Sequence, residues 1–284
     1  VDAIKKKKDC SINVAMRLVK EGRADAFVSA GNSGAVATSA ILNLGRIPGV
    51  KRPAIATVLP TSDPSRPILV LDAGANMDCH PEWLVQFAKM GDAYSKAVLK
   101  CATPAVGLLS IGTEDCKGND LTKSAFPMLK RVDTIDFRGN VEGHDLFQGQ
   151  TDVVVCDGFV GNVVLKTTES VCHAMGYWMK REFRGNFWRT LGSLLLLGAF
   201  KAIKRQVDPE IYGGAPLLGV PGAVVIAHGS SSAKAIYHAI KAGVTGAKND
   251  MTGEISRRIA DYELQKKTEE EQKQAEAAAA EALA

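Results

Sequence analysis

The chain has 284 residues, of which 46% are hydrophobic and 23% are charged, and its formal net charge is +4. This composition predicts a globular protein with a large core and excludes an intrinsically disordered chain. The lysines and arginines are scattered and only 6% of residues are aromatic, which argues against nucleic-acid binding.

The six cysteines lie far apart and form no C-x-x-C pair. This spacing predicts reduced thiols in the cytoplasm and gives no support to a disulfide framework or a zinc site. Neither the dinucleotide motif nor the P-loop motif occurs in the sequence. We therefore expect no metal and no organic cofactor.

Strands and helices alternate through residues 1–178, the predicted main domain. A helix that ends at Gly22 comes first. It is followed by predicted strands at 25–29, 54–59, 68–71, 106–111, 133–137 and 152–156 and by predicted helices at 35–44, 81–99 and 120–131. Because the strands are almost continuously apolar and helices separate them, the pattern predicts an α/β fold with a largely parallel sheet and helices on both faces.

Four of the predicted strands end in loops that combine glycine with Asn, Asp or Ser. These loops are 31–34, 72–76, 112–119 and 157–162. Carboxyl ends of parallel strands lie at one edge of a sheet, so the loops predict one polar crevice. Its backbone N–H groups, amides and Lys117 would suit a small oxyanion such as phosphate. The alternative for the last loop is that Asp157 only caps the following helix and the glycines only form the turn.

Residues 179–211 have a different character, with apolar and aromatic residues between basic ones. The apolar run is shorter than the roughly 18 residues that a membrane-spanning helix needs. It predicts a protruding helical hairpin, and one interpretation is that this hairpin lies in the interface of an anionic membrane. The alternative is that the hairpin buries its leucines in a dimer interface or in the core.

The chain returns to the α/β domain over residues 212–253, and 254–284 is predicted to be a charged helical tail. Residues 212–219 are predicted to be a loop with tight turns at two adjacent glycines. A last strand is predicted at 223–227, and a helix that ends at Ala242 follows it. Between them lies His228, which is interpreted either as a structural or as a catalytic residue.

Seven segments of this sequence, taken in order, resemble the PlsX family of bacterial acyl-acyl carrier protein:phosphate acyltransferases. They are 24–34, 72–76, 112–119, 139–143, 156–166, 212–219 and 227–231, within a resemblance over residues 4–250. The resemblance implies a Rossmann-like fold similar to phosphotransacetylases and to isocitrate and isopropylmalate dehydrogenases. Family members open with a strand and an Asp-Ala-Met-Gly-Gly-Asp loop that this sequence lacks, so we expect the main domain to be incomplete at its N-terminus.

The resemblance also implies an activity and its partners. A long-chain fatty acyl group would pass from acyl carrier protein to inorganic phosphate, giving acyl phosphate for phosphatidic acid and phospholipid synthesis. The protein would be a cytoplasmic homodimer, attached to the inner face of the bacterial membrane through residues 187–205, from Phe187 to Arg205. It would be linked functionally to the membrane acyltransferase that uses acyl phosphate and glycerol 3-phosphate. The alternatives are a small-acyl phosphotransacetylase, a decarboxylating dehydrogenase and a non-catalytic scaffold.

The candidate catalytic residues follow from the motifs and from the chemistry. Lys117 and Asn162 are predicted to hold phosphate or the oxyanion, with Asp157 orienting them and His228 acting as an acid for the departing thiol. Cys156 is expected to be a buried packing residue. Further substrate contacts are predicted at Asn32, Ser33, Gly34, Asp72, Asn76, Asn119, Gly161, Gly213, Gly214, Ser230 and Ser231.

Overall fold

The computed structural model describes residues 2–206 and 209–282, whose strands form one mixed sheet. The strands are β1 (Ala26–Ser29), β2 (Ala54–Leu59), β3 (Ile68–Leu71), β4 (Ala105–Leu109), β5 (Asp136–Val141), β6 (Val153–Val155), β7 (Ala215–Leu218) and β8 (Ala223–Ile226). They lie side by side in the order β1-β8-β7-β2-β3-β6-β4-β5.

The strand directions divide the sheet into two groups. β1 and β8 are parallel to each other, and β3, β6, β4 and β5 are parallel to one another. β7 is antiparallel to β8 and to β2, and β2 is antiparallel to β3. The carboxyl ends of β1 and β8 therefore lie at one edge, called here the β1–β8 edge, and those of β3, β4 and β6 lie at the opposite edge, called the β6 edge.

The single crevice predicted for the four glycine-containing loops is therefore wrong. Loop 31–34 lies at the β1–β8 edge, whereas loops 72–76, 112–119 and 157–162 lie at the β6 edge. The reversal arises between β2 and β3, because only residues 60–67 connect them. A parallel crossover needs a dozen or more residues, so β3 turns back beside β2 and the strands paired through it share its reversed direction.

Helices cover both faces of the sheet, which confirms the predicted α/β class. They are α1 (Asp2–Lys6), α2 (Ser11–Lys20), α3 (Ser33–Asn43), α4 (Pro81–Tyr94), α5 (Asp120–Lys130), α6 (Gly158–Phe183), α7 (Phe187–Leu195), α8 (Leu197–Gln206), α9 (Ala233–Lys248) and α10 (Met251–Ala282). Because side chains alternate along a strand, Leu69 and Leu71 pack with α4, α5 and α10, while Val70 packs with α6. The α2 and α3 helices lie on the α6 face, and α9 covers β8 on the other.

Several elements differ from their predicted bounds. The segment 212–219, predicted as a loop, contains β7, whose Pro216 lies opposite Val225. β5 ends at Val141 instead of 137, because Arg138 and Asn140 interrupt its apolar pattern while the backbone stays paired with β4. The long helix ends as an α-helix at Tyr94 and continues as a π-helical turn to 99.

The region 179–211 contains the end of α6, then α7, α8 and a 3-10 turn at Pro209–Tyr212. The α7 helix has no buried residue, and Leu195 is 88% exposed. The hairpin leucines therefore do not enter the core of this chain, so burial in the core is wrong, while burial in a dimer interface stays a prediction. Within the described residues, no helix is both long enough and apolar enough to cross a membrane.

Candidate functional site

The β6 edge gathers polar residues from three adjacent strands. It holds the predicted residues Asp72, Asn76, Lys117, Asn119, Asp157, Gly161 and Asn162. The α4, α5 and α6 helices all begin at this edge, after β3, β4 and β6 respectively. Their N-termini carry unpaired N–H groups and partial positive charge, so the edge favours an anion.

Asp72 forms the buried support of this edge, and its side chain is 0% exposed. Its Oδ1 accepts hydrogen bonds from the backbone N of Ile55 (3.0 Å) and Gly74 (3.1 Å), and its Oδ2 accepts them from the backbone N (2.7 Å) and Nδ2 (2.8 Å) of Asn76. Burial raises the pKa of the Asp72 carboxyl, and these hydrogen bonds oppose that effect. The carboxyl is inaccessible and fixes loop 72–76, so these contacts explain Asp72 without substrate, and its predicted substrate contact stays a prediction.

The glycines of the Asp157–Asn162 turn let α6 press against loop 72–76. The backbone N of Gly158 donates to the Asn76 carbonyl oxygen at 2.7 Å, and a Cβ added to the buried Gly161 would overlap the Asp72 carbonyl oxygen. Close packing therefore accounts for Gly161, and its predicted substrate contact stays a prediction. Asp157 accepts a hydrogen bond from the Val160 backbone N (2.9 Å), so its predicted alternative role as a helix cap is confirmed.

Lys117 and Asn162 are two accessible polar residues at the β6 edge, where Thr113, Glu114 and Asp115 are exposed as well. Lys117 is exposed, and within the described residues its ammonium forms no ion pair. Asn162 is half-buried beside Gly74, where an added Cβ would lie 3.6 Å from the Asn162 Cβ. Asn119 uses its Oδ1 to cap α5 through the Thr122 backbone N (3.0 Å). The edge thus offers the Lys117 ammonium and the side-chain amides of Asn162 and Asn119, on loops whose backbone is held by hydrogen bonds.

Sequence reasoning assigned no role to Asn140, which fixes the Lys117 loop. Its side chain is buried, and its Nδ2 donates to the Glu114 carbonyl oxygen at 2.8 Å. Ser110 Oγ donates to the Lys117 carbonyl oxygen at 3.2 Å from the other side of the loop. The only signal in the sequence is that Asn140 lies within segment 139–143 of the resemblance.

The remaining predicted residues lie at the β1–β8 edge. They are Asn32, Ser33, Gly34, Gly213, Gly214, His228, Ser230 and Ser231. His228 Nδ1 lies 2.6 Å from Ser230 Oγ, and Asn32 caps α3 through the Ala35 backbone N (2.9 Å). The strand directions place His228 at the opposite edge from Lys117 and Asn162, so this geometry gives no support to its predicted role as an acid for the departing thiol, which stays a prediction.

Gly213 and Gly214 serve the backbone. Their φ values are +75° and +96°, which L side chains rarely adopt. A Cβ on Gly213 would overlap the His238 carbonyl oxygen, and one on Gly214 would lie 2.7 Å from the Ile226 carbonyl oxygen. Both positions are explained by close packing against α9 and β8, so no substrate contact is needed to account for them.

Two cysteines at the β6 edge, Cys156 and Cys79, are poorly suited to nucleophilic chemistry. Cys156 is 3% exposed, and burial raises the pKa of its thiol well above its ordinary value. Burial also raises the pKa of Cys79 to about 12. Cys156 is therefore a packing residue, as predicted. The described part of the chain contains no group of three or more His, Cys, Asp or Glu side chains that could hold a metal ion.

Comparison with known proteins identifies the family. A family model described as "Fatty acid synthesis protein" matches residues 1–253. The phosphate acyltransferase of Thermosynechococcus vestitus is 50% identical over 259 residues, which cover 91% of this chain and 74% of that protein. The chain belongs to the fatty acid synthesis protein family, PlsX. The phosphate acyltransferase of Campylobacter fetus is 48% identical over 261 residues, which cover 92% of this PlsX chain and 78% of the Campylobacter protein.

Membership of PlsX confirms the predicted family and supports acyl transfer to phosphate in lipid synthesis. Solved structures confirm the fold. A phosphotransacetylase from Streptococcus pyogenes matches with a TM-score of 0.58 at 19% identity, covering 87% of this chain and 70% of that one. The EutD phosphotransacetylase from Staphylococcus aureus matches with a TM-score of 0.54 at 16% identity, covering 82% of this chain and 66% of that one. At such identities the likeness shows a shared fold alone.

Proposed function

We propose that this PlsX chain transfers a long-chain fatty acyl group from acyl carrier protein to inorganic phosphate at the β6 edge, giving acyl phosphate. The main observation behind the proposal is the position of the accessible Lys117 and Asn162. They lie at the edge where three helices begin, so a cation, an amide and three helix N-termini occur at the same edge of the sheet. This donor set suits a phosphate anion and a developing oxyanion.

The chemistry asks little of the protein beyond positioning and charge stabilisation. A phosphate oxygen attacks the thioester carbonyl carbon, and the carbonyl oxygen becomes the oxyanion of a tetrahedral intermediate. The intermediate collapses by breaking the C–S bond, and the thiolate leaves and takes a proton from water. Phosphate is already anionic at neutral pH and partly dianionic, because a phosphate second pKa lies at about 6 to 7. The free thiol pKa of about 8.5 makes thiolate a fair leaving group, so neither a strong base nor a strong acid is required.

Lys117 and Asn162 would therefore act on charge. Lys117 would bind the phosphate oxygens as a charge-assisted donor, and Asn162 Nδ2 would donate to the phosphate or to the oxyanion. One well-placed oxyanion donor lowers the activation free energy by about 3 to 4 kcal/mol, which raises the rate roughly 100- to 1,000-fold. Buried Asp72 and Asn140 would hold the two loops in place before the substrates arrive, so little reorganisation is needed.

Exposed apolar surface beside these residues supports a long acyl chain as the transferred group. Ile111, just beyond β4, is 80% exposed, and Phe159, in the first turn of α6, is 62% exposed. An open face of α6 starts at Val163, directly after Asn162, continues as far as Ala174 and exposes mainly apolar surface. A hydrocarbon chain would cover such a surface and gain the free energy of removing it from water.

The hairpin supports peripheral attachment to an anionic membrane. Phe187, Trp188 and Leu195 are 72%, 76% and 88% exposed, and basic residues lie on both sides of them in the sequence. A helix with this distribution binds in the lipid interface without crossing it.

We also propose a homodimer, because the open apolar face of α6 and the hairpin both leave apolar surface exposed in the single chain. The acyl phosphate would then be consumed by a membrane acyltransferase, to which we propose a functional link.

The test is formation of acyl phosphate by this chain, trapped with hydroxylamine as the acyl hydroxamate. Palmitoyl-acyl carrier protein and acetyl-coenzyme A are compared as donors, each with and without phosphate. Phosphate-dependent product from the palmitoyl donor alone is the expected result. Product from acetyl-coenzyme A alone would instead support a phosphotransacetylase, and no product from either donor would contradict the proposal.

A further inference from the structure

A basic surface lies between α3 and β2, next to the β6 edge. Residues 44–53 contain Arg46, Lys51 and Arg52 and no acidic residue, and all three cationic side chains are exposed. Together with Trp83 of α4 they are called here the Arg52 surface. The proposed reaction at the β6 edge does not use these residues.

The cations of the Arg52 surface are ordered without being neutralised. The Arg52 guanidinium lies 5.0 Å from the centre of the Trp83 ring, and Arg46 Nη1 donates to the Lys51 carbonyl oxygen. Within residues 2–206 and 209–282, none of the three forms an ion pair. Glu82, an acid in the first turn of α4, pairs with Lys266 of α10 at 2.7 Å. Three exposed positive charges, of which the Arg46 and Arg52 guanidinium groups have the contacts just given, therefore remain available to an external anionic group.

The backbone connects the Arg52 surface directly to the proposed reaction site. Arg52 is followed by Pro53, whose carbonyl oxygen accepts from Asn76 Nδ2 at 2.8 Å. The Asn76 carbonyl oxygen in turn accepts from the Gly158 backbone N at 2.7 Å, at the start of α6. Asn162 is one turn further along this helix. A partner on the Arg52 surface would thus sit beside the loop that supports Asn162.

The position of the hairpin distinguishes this surface from a membrane contact. The α6 helix begins at the β6 edge and has 26 residues, so it spans about 39 Å before α7 begins. A membrane that contacts the exposed leucines of α7 is therefore far from Arg52. The exposed residues of 44–53 are also mainly charged, whereas interfacial binding needs large apolar side chains as well.

We propose that the Arg52 surface docks an acidic face of the carrier protein that delivers the acyl thioester. This inference rests on the proposed function, because it assigns a docking site for the proposed donor. The cations would attract and orient the carrier, so that its acyl thioester reaches Lys117 and Asn162. Charges of this kind act mainly on association and on salt dependence.

The experiment compares wild type with the double variant Lys51→Glu/Arg52→Glu. A matched control, Lys20→Glu/Lys241→Glu, makes the same charge change at exposed lysines of α2 and α9. The dissociation constant for fluorescent palmitoyl-acyl carrier protein is measured by anisotropy at low and high salt. The rates of acyl phosphate formation from that donor and from palmitoyl-pantetheine, an uncharged small donor, are measured in parallel.

We expect the dissociation constant of the double variant to rise about tenfold or more at low salt, with little change in the control. Its salt dependence should weaken, and its rate with palmitoyl-pantetheine should match wild type. Unchanged carrier binding in the double variant, or equal weakening in the control, would overturn the inference. Loss of binding to anionic vesicles with retained carrier binding would also overturn it. If wild type makes no acyl phosphate from either donor, the proposed function fails, while the dissociation constants still decide the docking inference.

Discussion

At the scale of single residues, the side chains that shape the β6 edge are distinct from those that face solvent there. Asp72 is buried, and both of its carboxylate oxygens accept hydrogen bonds from backbone N–H groups or from the Asn76 side chain. Lys117 and Asn162, by contrast, are accessible. Both kinds of residue occur in loops with the same composition of Gly, Asn and Asp. The sequence could place these loops after strands, but it could not separate the supporting residues from the accessible ones, because burial depends on contacts between distant segments.

We expect Asp72→Ala to lower the free energy of unfolding by about 3 kcal/mol or more. The substitution leaves the N–H groups of Ile55, Gly74 and Asn76 without their carboxylate acceptor in a buried site. Urea denaturation measures the effect. The control is Asp157→Ala, which removes an accessible helix cap and should lower stability by only about 1 kcal/mol. Equal effects of the two substitutions would argue against a supporting role for Asp72.

A buried lysine predicts how stability depends on pH. Lys89 is 1% exposed, donates to Thr134 Oγ1 at 2.8 Å and lies 4.9 Å from the Tyr262 ring centre. Burial, with a smaller contribution from Arg258, lowers the pKa of Lys89 to about 8, from an ordinary value of 10.5. Between these values the unfolded chain binds more protons than the folded chain, so Lys89 makes stability rise with pH over that range.

The measurement is the free energy of unfolding at pH 7, 8, 9 and 10 for wild type and for Lys89→Met. Methionine has a similar length without a titrating group, so the rise that Lys89 contributes above pH 8 should disappear in the variant. Lys123→Met, at an exposed position of α5, is the control and should leave the pH dependence unchanged. An equally steep rise in Lys89→Met would show that other groups cause it.

At the scale of elements, helix positions were more predictable than strand directions. The 3.6-residue periodicity placed α2, α3 and α5 close to their observed bounds, because each helix buries one face against the sheet. Periodicity carries no information about which neighbour a strand pairs with. The short 60–67 connection was the available signal for reversal, and β7 was hidden by the glycines and Pro216 around it.

The contact of α6 with loop 72–76 yields a prediction with a control in the same helix. A Cβ at Gly161 would overlap the Asp72 carbonyl oxygen, so Gly161→Ala should displace the helix and destabilise the protein by about 1 to 3 kcal/mol or more. At Gly176 an added Cβ meets nothing within 4 Å, so Gly176→Ala should be neutral or stabilising by up to about 1 kcal/mol. Thermal and urea unfolding distinguish them. Tolerance of Gly161→Ala would contradict the close packing.

The proposed membrane contact of the hairpin is tested by charge insertion. Leu195 is 88% exposed at the end of α7, so Leu195→Glu should leave folding intact but greatly reduce co-sedimentation with anionic vesicles. The control is Leu264→Glu, at a 66% exposed leucine of α10 outside the hairpin, which should bind vesicles like wild type. Unchanged vesicle binding by Leu195→Glu would contradict the membrane contact and favour a protein partner for the exposed leucines.

At the scale of the whole molecule, the mixed sheet presents two polar edges. The composition of the strands predicted the α/β class and the helices on both faces of the sheet. The long motifs predicted the family. The distribution of the candidate site was not predictable. Lys117 and Asn162 lie at one edge and His228, Ser230 and Asn32 at the other, since β1 and β8 run against β3, β4 and β6. The proposal that the β6 edge carries the reaction follows from this division.

The most direct test compares one residue from each edge. Phosphate-dependent formation of acyl phosphate from palmitoyl-acyl carrier protein is measured for wild type, Lys117→Ala, Asn162→Ala and Ser230→Ala, with thermal unfolding as a check on folding. We expect Lys117→Ala and Asn162→Ala each to lower kcat/KM by about 100-fold or more while Ser230→Ala stays close to wild type. Loss of activity in Ser230→Ala, with Lys117→Ala and Asn162→Ala retaining theirs, would contradict the account and assign the reaction to the β1–β8 edge.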